Sequence, residues 1–481
     1  MSSPFDEAKY NALLKGLEVS VVRFSELNKI QNRFDAEFYS KENLALEHLL
    51  QKVEYTTLSL LHCEIDCSAF YPGITQYYNF DKSGIPFIRV NELQDGFVKI
   101  TDSTAFLPKN VLLENSKTIA MAYPDDIVIA KGGNTLAKVG ILTNEYSEYA
   151  ICRDVLLVRT NNLNFNQKYN IWAFLHSSVG YKLMVKTASQ TGQPHLTVPN
   201  IASLKMPKWI ETDTRFSDCY ISAQSLIQKS KSLYAQAEDT LLSELGLKDW
   251  QPKNESVSVK KFSDFTASNR LDAEYYEKKY DELFEKLNHF KCTRLGDMGK
   301  FCNGSLISDE LYVEKAARAY IRIKELSYKE PINDDAVVYI DDSFVSQNET
   351  TVLENDFVIA TIGNTIGKVN VVPKKYAGSF ISNNTSRFRL NDKKSIYFYY
   401  EIMLRSIIVQ SQIEREFTQT AQPKISNKSL ANILIPILSR ETQEQIAELI
   451  TKSFELQSES KRLLEETKKM VEKEIEEGSI D

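Results

Sequence analysis

Apolar residues follow two different periods along this chain, and the switch from one to the other happens twice. Before Pro207, and again before Pro436, they come in short β-branched and aromatic runs punctuated by turn residues. Examples are Ile85-Pro86-Phe87-Ile88-Arg89-Val90, Ile127-Val128-Ile129, Ala319-Tyr320-Ile321-Arg322-Ile323 and Phe357-Val358-Ile359. Such runs predict strands. After each proline the spacing becomes three and four. Phe216, Cys219, Ala223, Leu226, Ser230, Leu233, Ala237 and Leu241 keep it in the first stretch. Ile446, Leu449, Ile450, Phe454, Leu464, Met470, Val471 and Ile475 keep it in the second, with polar interruptions at Ser453, Gln457 and Ser460. One apolar face predicts two helices, each of about 35 residues and about 50 Å. An ordinary globular helix has three or four turns, so this length favours a stalk or spacer pair over segments folded back on their own domains. Polar seam residues suit the fixing of register.

The alternation is itself a repeat. Residues 32–39 read NRFDAEFY and residues 269–276 read NRLDAEYY, 237 positions apart with six of eight identical. AKGGNTLAKV at 130–139 matches ATIGNTIGKV at 360–369, and TGQPHL at 191–196 matches TAQPKI at 420–425. The order is kept and the offset barely drifts, which predicts a tandem duplication of a unit of about 230 residues, two domains rather than a solenoid. The expected division is an N-terminal segment (1–20), a first domain (21–210), a central helix (211–248), a second domain (257–438) and a distal helix (440–476). The expected fold class is α/β (α+β), with the two helices pairing antiparallel as a coiled-coil spacer.

Composition adds little to this picture. At 481 residues, 42% hydrophobic, 26% charged and 11% aromatic, the chain reads as globular and has no apolar run long enough to cross a bilayer. The N-terminus is polar without an apolar signal core, so a cytoplasmic protein is expected. Six cysteines without regular spacing are expected to be reduced.

Charge changes the picture more. The total, 58 − 65 = −7, argues by itself against a nucleic-acid partner. Residues 131–210, however, carry nine Lys and Arg against three acids, 9 − 3 = +6, and residues 361–440 carry twelve against four, 12 − 4 = +8. The same part of each repeat is basic, which points to a shared polyanion-binding face. Beside these cations lie Gly133-Asn134-Thr135, Gly363-Asn364-Thr365, Asn383-Asn384, Gln193 and Gln422, whose donor and acceptor pairs can read base edges. Loops rich in such residues are equally common as plain turns.

Catalytic patterns fail one by one. Gly363-Asn364-Thr365-Ile366-Gly367-Lys368 is one residue short of a phosphate loop and is followed by Val369 where a hydroxyl is required. His62-Cys63 and Cys67 supply too few metal ligands, and the second repeat has no counterpart. Pro124-Asp125-Asp126 with Lys131 hints at a nuclease, but Ala130 stands where a second acid is needed. None of the five histidines lies near a nucleophile motif. No catalytic residue and no metal site are expected, and the chain is not expected to be an enzyme.

Two modules, each with the Asp-Ala-Glu block, an IPFIRV-like run, a GNTxxKV loop, a TxQPx segment before a proline and then a long helix, resemble the specificity subunit of type I restriction-modification systems. The resemblance covers the chain from about Val21 to Ile475. It implies a non-catalytic subunit whose two target-recognition domains read the halves of an asymmetric, bipartite site in double-stranded DNA. It further implies helices that set the gap between the halves and dock two methyltransferase subunits. Motor-nuclease subunits are a further implied partner. S-adenosylmethionine, ATP and magnesium would belong to those partners, with no cofactor in this chain, and no membrane is implied. On this reading Lys131, Asn134, Thr135, Lys138, Gln193 and His195 lie at one half-site, and Asn364, Thr365, Lys368, Arg387, Gln422 and Lys424 at the other. The repeated Gln-Pro has a structural alternative, a turn fixed by proline's restricted φ. The Arg33-Phe34-Asp35 and Arg270-Leu271-Asp272 blocks are expected to join module to helix or partner. The alternative functions are a coiled-coil scaffold for protein partners and the recognition subunit of a related system cutting on both sides of its site.

Overall fold

Strands form where the apolar runs are uninterrupted, because both faces of those strands are covered. In the computed structural model Ile127–Ala130 and Val155–Val158 are buried at every position, as expected for strands packed on two sides. The structure describes all residues except 1–9, 11, 28–32, 52, 72, 189–193, 249, 251–254, 256, 269, 345–348, 364, 418–422 and 478–481. The chain divides into two units, Met1–Ser225 with Glu459–Asp481, and Leu226–Ser458. The architecture is mixed α and β in both.

In the first unit a six-stranded sheet includes, as consecutive neighbours, Ile65–Cys67, Val155–Val158, Ile127–Ala130 and Val139–Ile141. A four-stranded sheet pairs Ile85–Ile88 with Tyr149–Ile151 in parallel, Ile88 opposite Ile151. Tyr55–Thr56 pairs antiparallel with Met206–Pro207. In the second unit the corresponding neighbours are Gly299–Asn303, Thr385–Leu390, Phe357–Ala360 and Val369–Val371. Arg318–Ile321 pairs in parallel with Phe380–Ile381, Ile321 opposite Ile381. Cys292–Arg294 pairs antiparallel with Leu434–Pro436. Register agrees too: Ile129 faces Val139, and Ile359 faces Val369.

Alternation along one strand divides the core. Val358 and Ala360 pack with Ile321 and Ile381, while Phe357 and Ile359 join the cluster containing Tyr399, Met403 and Ile408. The arginines of the two strand-like runs are structural. Arg89 pairs with Glu92 (3.0 Å) and donates to Ser103 O, and Arg322 pairs with Glu325 (2.6 Å) and donates to Ala336 O, both glutamates being buried.

The long helices span Arg215–Glu244 and Arg440–Glu477. The first is shorter than its expected 211–248. Gly246 adopts φ 63°, and the Leu247 N–H bonds back to Leu242 O, a left-handed stop that ends the helix. In the first unit Arg215 reaches Glu474 (2.7 Å) and Ser460 Oγ donates to Ala223 O (3.0 Å). In the second unit Ser453 Oγ donates to Ser230 O (2.9 Å), and the Tyr234 and Phe454 rings lie 6.4 Å apart. Ser230, Ser453 and Ser460 are buried, so two of the three polar interruptions, Ser453 and Ser460, are hydroxyls satisfied by backbone carbonyls. No described helix is long and apolar enough to cross a membrane.

Candidate nucleic-acid interface

Each GNT segment is a tight return between two antiparallel strands, and the same backbone bonds build it in both units. Ala137 N–H donates to Ala130 O (3.0 Å), Ala130 N–H to Lys138 O (2.9 Å) and Lys138 N–H to Thr135 O (3.0 Å). In the second unit Gly367 donates to Ala360 O (3.1 Å), Ala360 to Lys368 O (2.9 Å) and Lys368 to Thr365 O (3.2 Å). The turn needs positive φ twice, at Gly133 (67°) and Ala137 (63°), and at Gly363 (80°) and Gly367 (89°). Three of these four positions are glycine, the residue that adopts this conformation without a steric cost.

Two further segments close on each return. His195 forms an antiparallel bridge with Gly132, and Lys424 forms one with Ile362. Leu196 N–H donates to Lys131 O (2.8 Å) and Ile425 N–H to Thr361 O (3.0 Å). The third segment follows a buried residue in each unit: Lys131 N–H donates to Asp154 O (2.9 Å), and Thr361 N–H to Asn384 O (3.0 Å). Arg153, Asp154, Asn383 and Asn384 are exposed. Arg153 and Asp154 are not among the residues chosen from sequence. Aligning the repeats at an offset of 230 places them opposite Asn383-Asn384, which was the available signal.

Side chains differ where the frame does not. A Cβ on Gly132 would lie 2.9 Å from His195 Nδ1 and 3.1 Å from Pro194 O, so a side chain there would displace the imidazole. Lys424 stands opposite Ile362 in the second unit, and a bulky residue fits there. Asn134, Lys138, His195 and Lys424 are exposed, and Thr135, Thr365 and Lys368 are half-buried. Lys131 Nζ donates to Arg153 O (2.7 Å) and Thr135 Oγ1 to Gly132 O (3.2 Å). The Lys368 ammonium lies 5.8 Å from the centre of the Tyr328 ring. Arg387 lies inside a strand, opposite Val358, where it donates to Thr351 O (3.0 Å); its buried Nε has no partner among the described residues. Gln193, Asn364 and Gln422 lie outside the described residues.

Ion pairs redistribute the basic excess read from sequence. Arg159 pairs with Asp66, Lys168 with Asp125, Lys182 with Glu42, Lys186 with Glu47 and Lys208 with Glu54. In the second unit Arg389 pairs with Asp356, Lys375 with Asp334 and Arg405 with Glu401. Much of the local positive count is therefore matched by carboxylates within the same unit. Lys138 and Lys424 lie exposed on the loop frame.

The carboxylates that hinted at a nuclease have structural partners. Asp125, at φ 71°, accepts from Tyr169 Oη (2.9 Å), and Asp126 accepts from the N–H groups of Tyr123 (3.0 Å) and Thr160 (2.9 Å). Burial pushes the Asp126 carboxyl up, against those two bonds. Burial also raises the Cys63 thiol to about 11, which disfavours the thiolate a metal needs. Among the described residues no three His, Cys, Asp or Glu are grouped to hold a metal.

Residues 288–468 match the family described as the type I restriction modification DNA specificity domain. Solved structures similar to the chain include a type I restriction-modification system S subunit from M. genitalium, 11% identical, covering 89% of this chain and 96% of that one, with a TM-score of 0.38. The HsdS subunit from Thermoanaerobacter tengcongensis is 12% identical, with 88% and 96% covered and a TM-score of 0.28. The type IIG restriction endonuclease BpuSI is 12% identical, with 71% and 43% covered and a TM-score of 0.21. No curated protein matches the sequence.

Proposed function

We propose that the chain is the DNA-binding specificity subunit of a type I restriction-modification complex, a tandem duplication whose two modules each read one half of a bipartite site. The observation that carries this reading is the recurrence of one loop frame, bond for bond, bearing different exposed side chains: His195 against Lys424, Arg153-Asp154 against Asn383-Asn384. A constant frame with variable side chains is what two readers of different sequences need, since backbone sets position and side chains set the base. Lys131, Lys138, Lys368 and Lys424 would supply phosphate contacts, and Asn134, Thr135, Gln193, Asn364, Thr365 and Gln422 the base contacts. Arg387, tied to a strand carbonyl, would hold the sheet beneath them.

The two long helices serve in this reading as an antiparallel spacer. Contacts running from 215 with 474 to 223 with 460 support it, as do the buried serines that would fix the register. Docking of two methyltransferase subunits has its own support. VSVVRFSEL at 19–27 matches VSVKKFSDF at 257–265, and three apolar side chains of each copy are exposed: Val19, Val21 and Phe24 (74%) in one, Val257, Val259 and Phe262 (80%) in the other. An apolar strip displayed twice suits one partner bound twice.

Binding of the assembled complex to DNA tests the contacts. Lys368→Ala should weaken binding to all sequences and flatten the salt dependence by about one counterion. Gln422→Ala should relax one half-site only, by about 1–3 kcal/mol. Equal losses on every sequence for both variants would remove the base-reading assignment. A protein-binding scaffold predicts no sequence-dependent affinity at all.

A further inference from the structure

The block that opens each module is bound to the same place in its own unit. Arg33 forms a two-pronged pair with Asp35 (2.7 and 2.9 Å) and donates from Nη1 to Ala188 O (3.1 Å) and Thr187 O (3.4 Å). These carbonyls end the helix Ser178–Thr187, and the residues that lead to His195 begin there. In the second unit Arg270 pairs with Asp272 (2.6 Å) and donates to Phe417 O (2.8 Å), just past the helix Ile407–Glu416 and ahead of Lys424. Tyr39 Oη donates to Arg33 O (3.0 Å), and Tyr276 Oη to Arg270 O (2.9 Å). A second cation from the clamped helix completes each cluster. Lys186 lies 4.4 Å from the Phe38 ring centre, and Arg415 lies 4.0 Å from that of Tyr275. The arginine side chains are only 12% and 22% exposed, and each holds its aspartate carboxyl below the usual range.

We propose that Arg33 and Arg270 are positioning residues for recognition, each fixing the near end of its own module's Gln-Pro segment so that each governs one half of the DNA site. The guanidinium suits this task because its planar fork binds the aspartate with one edge and leaves a third N–H for the helix-terminal carbonyl. Both functions fall on one side chain, so lysine cannot replace it. Neither arginine is available to a base. The inference rests on the proposed DNA-reading function, but its local part does not.

Two measurements on the full chain separate them. Amide hydrogen exchange on Arg33→Ala should show faster exchange at 178–188, with 407–417 unchanged, and Arg270→Ala should show the reverse. In the complex with its methyltransferase, Arg33→Ala should lose about tenfold in base discrimination at one half of the modified motif, one contact's worth, while the other half stays intact. Arg270→Ala should affect the opposite half. Arg33→Lys, which keeps charge and most of the volume, should behave like Arg33→Ala and serves if the alanine variant does not fold. Unchanged exchange at the clamped helix overturns the proposal even if the wild-type complex modifies no split motif. Loss of both halves together, or of neither, overturns it where the wild type does.

Discussion

Arg405→Ala should destabilise the second unit by about 3–5 kcal/mol, the usual result of stranding one member of a buried ion pair. Arg405 and Glu401 are each 2% exposed and 2.7 Å apart. The guanidinium also donates to Val369 O (3.0 Å), Lys329 O (3.0 Å), Glu330 O (3.1 Å) and Tyr234 Oη (3.2 Å). Removing it takes a donor from each of those acceptors and leaves the buried carboxylate with only the Val371 N–H (3.0 Å). Burial already pushes the Glu401 carboxyl up against the arginine's pull, so it would take up a proton on losing Arg405. Replacing both partners, Glu401→Leu with Arg405→Met, should cost less than Arg405→Ala alone, because no buried charge is left unpaired. Urea denaturation of the three proteins checks the order. A loss under about 1 kcal/mol for Arg405→Ala would contradict it. The effect should reach the loop frame, since Val369 begins the strand that leaves the GNT return.

The equivalent place in the first unit, 229 positions earlier, is solved without charge, and its prediction is a dependence on pH. His176 stacks on Trp172 (5.9 Å between rings), and its buried Nε2 has no partner among the described residues. Burial and then the Lys468 ammonium push its pKa down to about 3, with Asp95 opposing. In the unfolded chain a histidine titrates near 6.5. Between these values the unfolded state binds a proton that the folded state refuses, so stability falls as pH falls from about 6.5 toward 3, by up to about 1.4 kcal/mol per unit. Asp35 and Asp213, whose carboxyls are lowered, lose their contribution only below their unfolded value of about 4. Asp126 and Glu401, whose carboxyls burial raises, act alike in wild type and variant, so the difference between the two proteins from about pH 6.5 to 4.5 reports the histidine. His176→Leu should flatten the fall of the urea midpoint there. The same slope in both proteins would show that His176 is charged when folded.

These two residues also show where sequence stops informing. The strands, the long helices and the GNT returns were legible because their causes are local: an unbroken apolar run, a three-four period, a glycine where φ is positive. Arg405 and His176 occupy matching positions, and Glu401 and Trp172 stand one helical turn before them, but Tyr234, Glu330 and Asp95, which complete each environment, are distant in the chain. For the same reason the charge count overstated the free basic surface, since Lys186 and Lys208 are matched by Glu47 and Glu54 from the front of the module. Arg33 and Arg270 were placed with a joining role. Their targets, the carbonyls of Ala188 and Phe417, are about 150 residues away and carry no side-chain signal. Arg387 was grouped with the DNA contacts by charge and neighbourhood, and only strand register shows what it bonds.

Whether this chain directs modification to a split sequence is the central question, and one measurement addresses it directly. The chain is co-expressed with its neighbouring methyltransferase subunit, and modified adenines are mapped across the host DNA with the chain present and absent. The account predicts an asymmetric motif in two halves, separated by a fixed gap, that appears only when the chain is present. Modification by an active methyltransferase that is the same with and without the chain would contradict it.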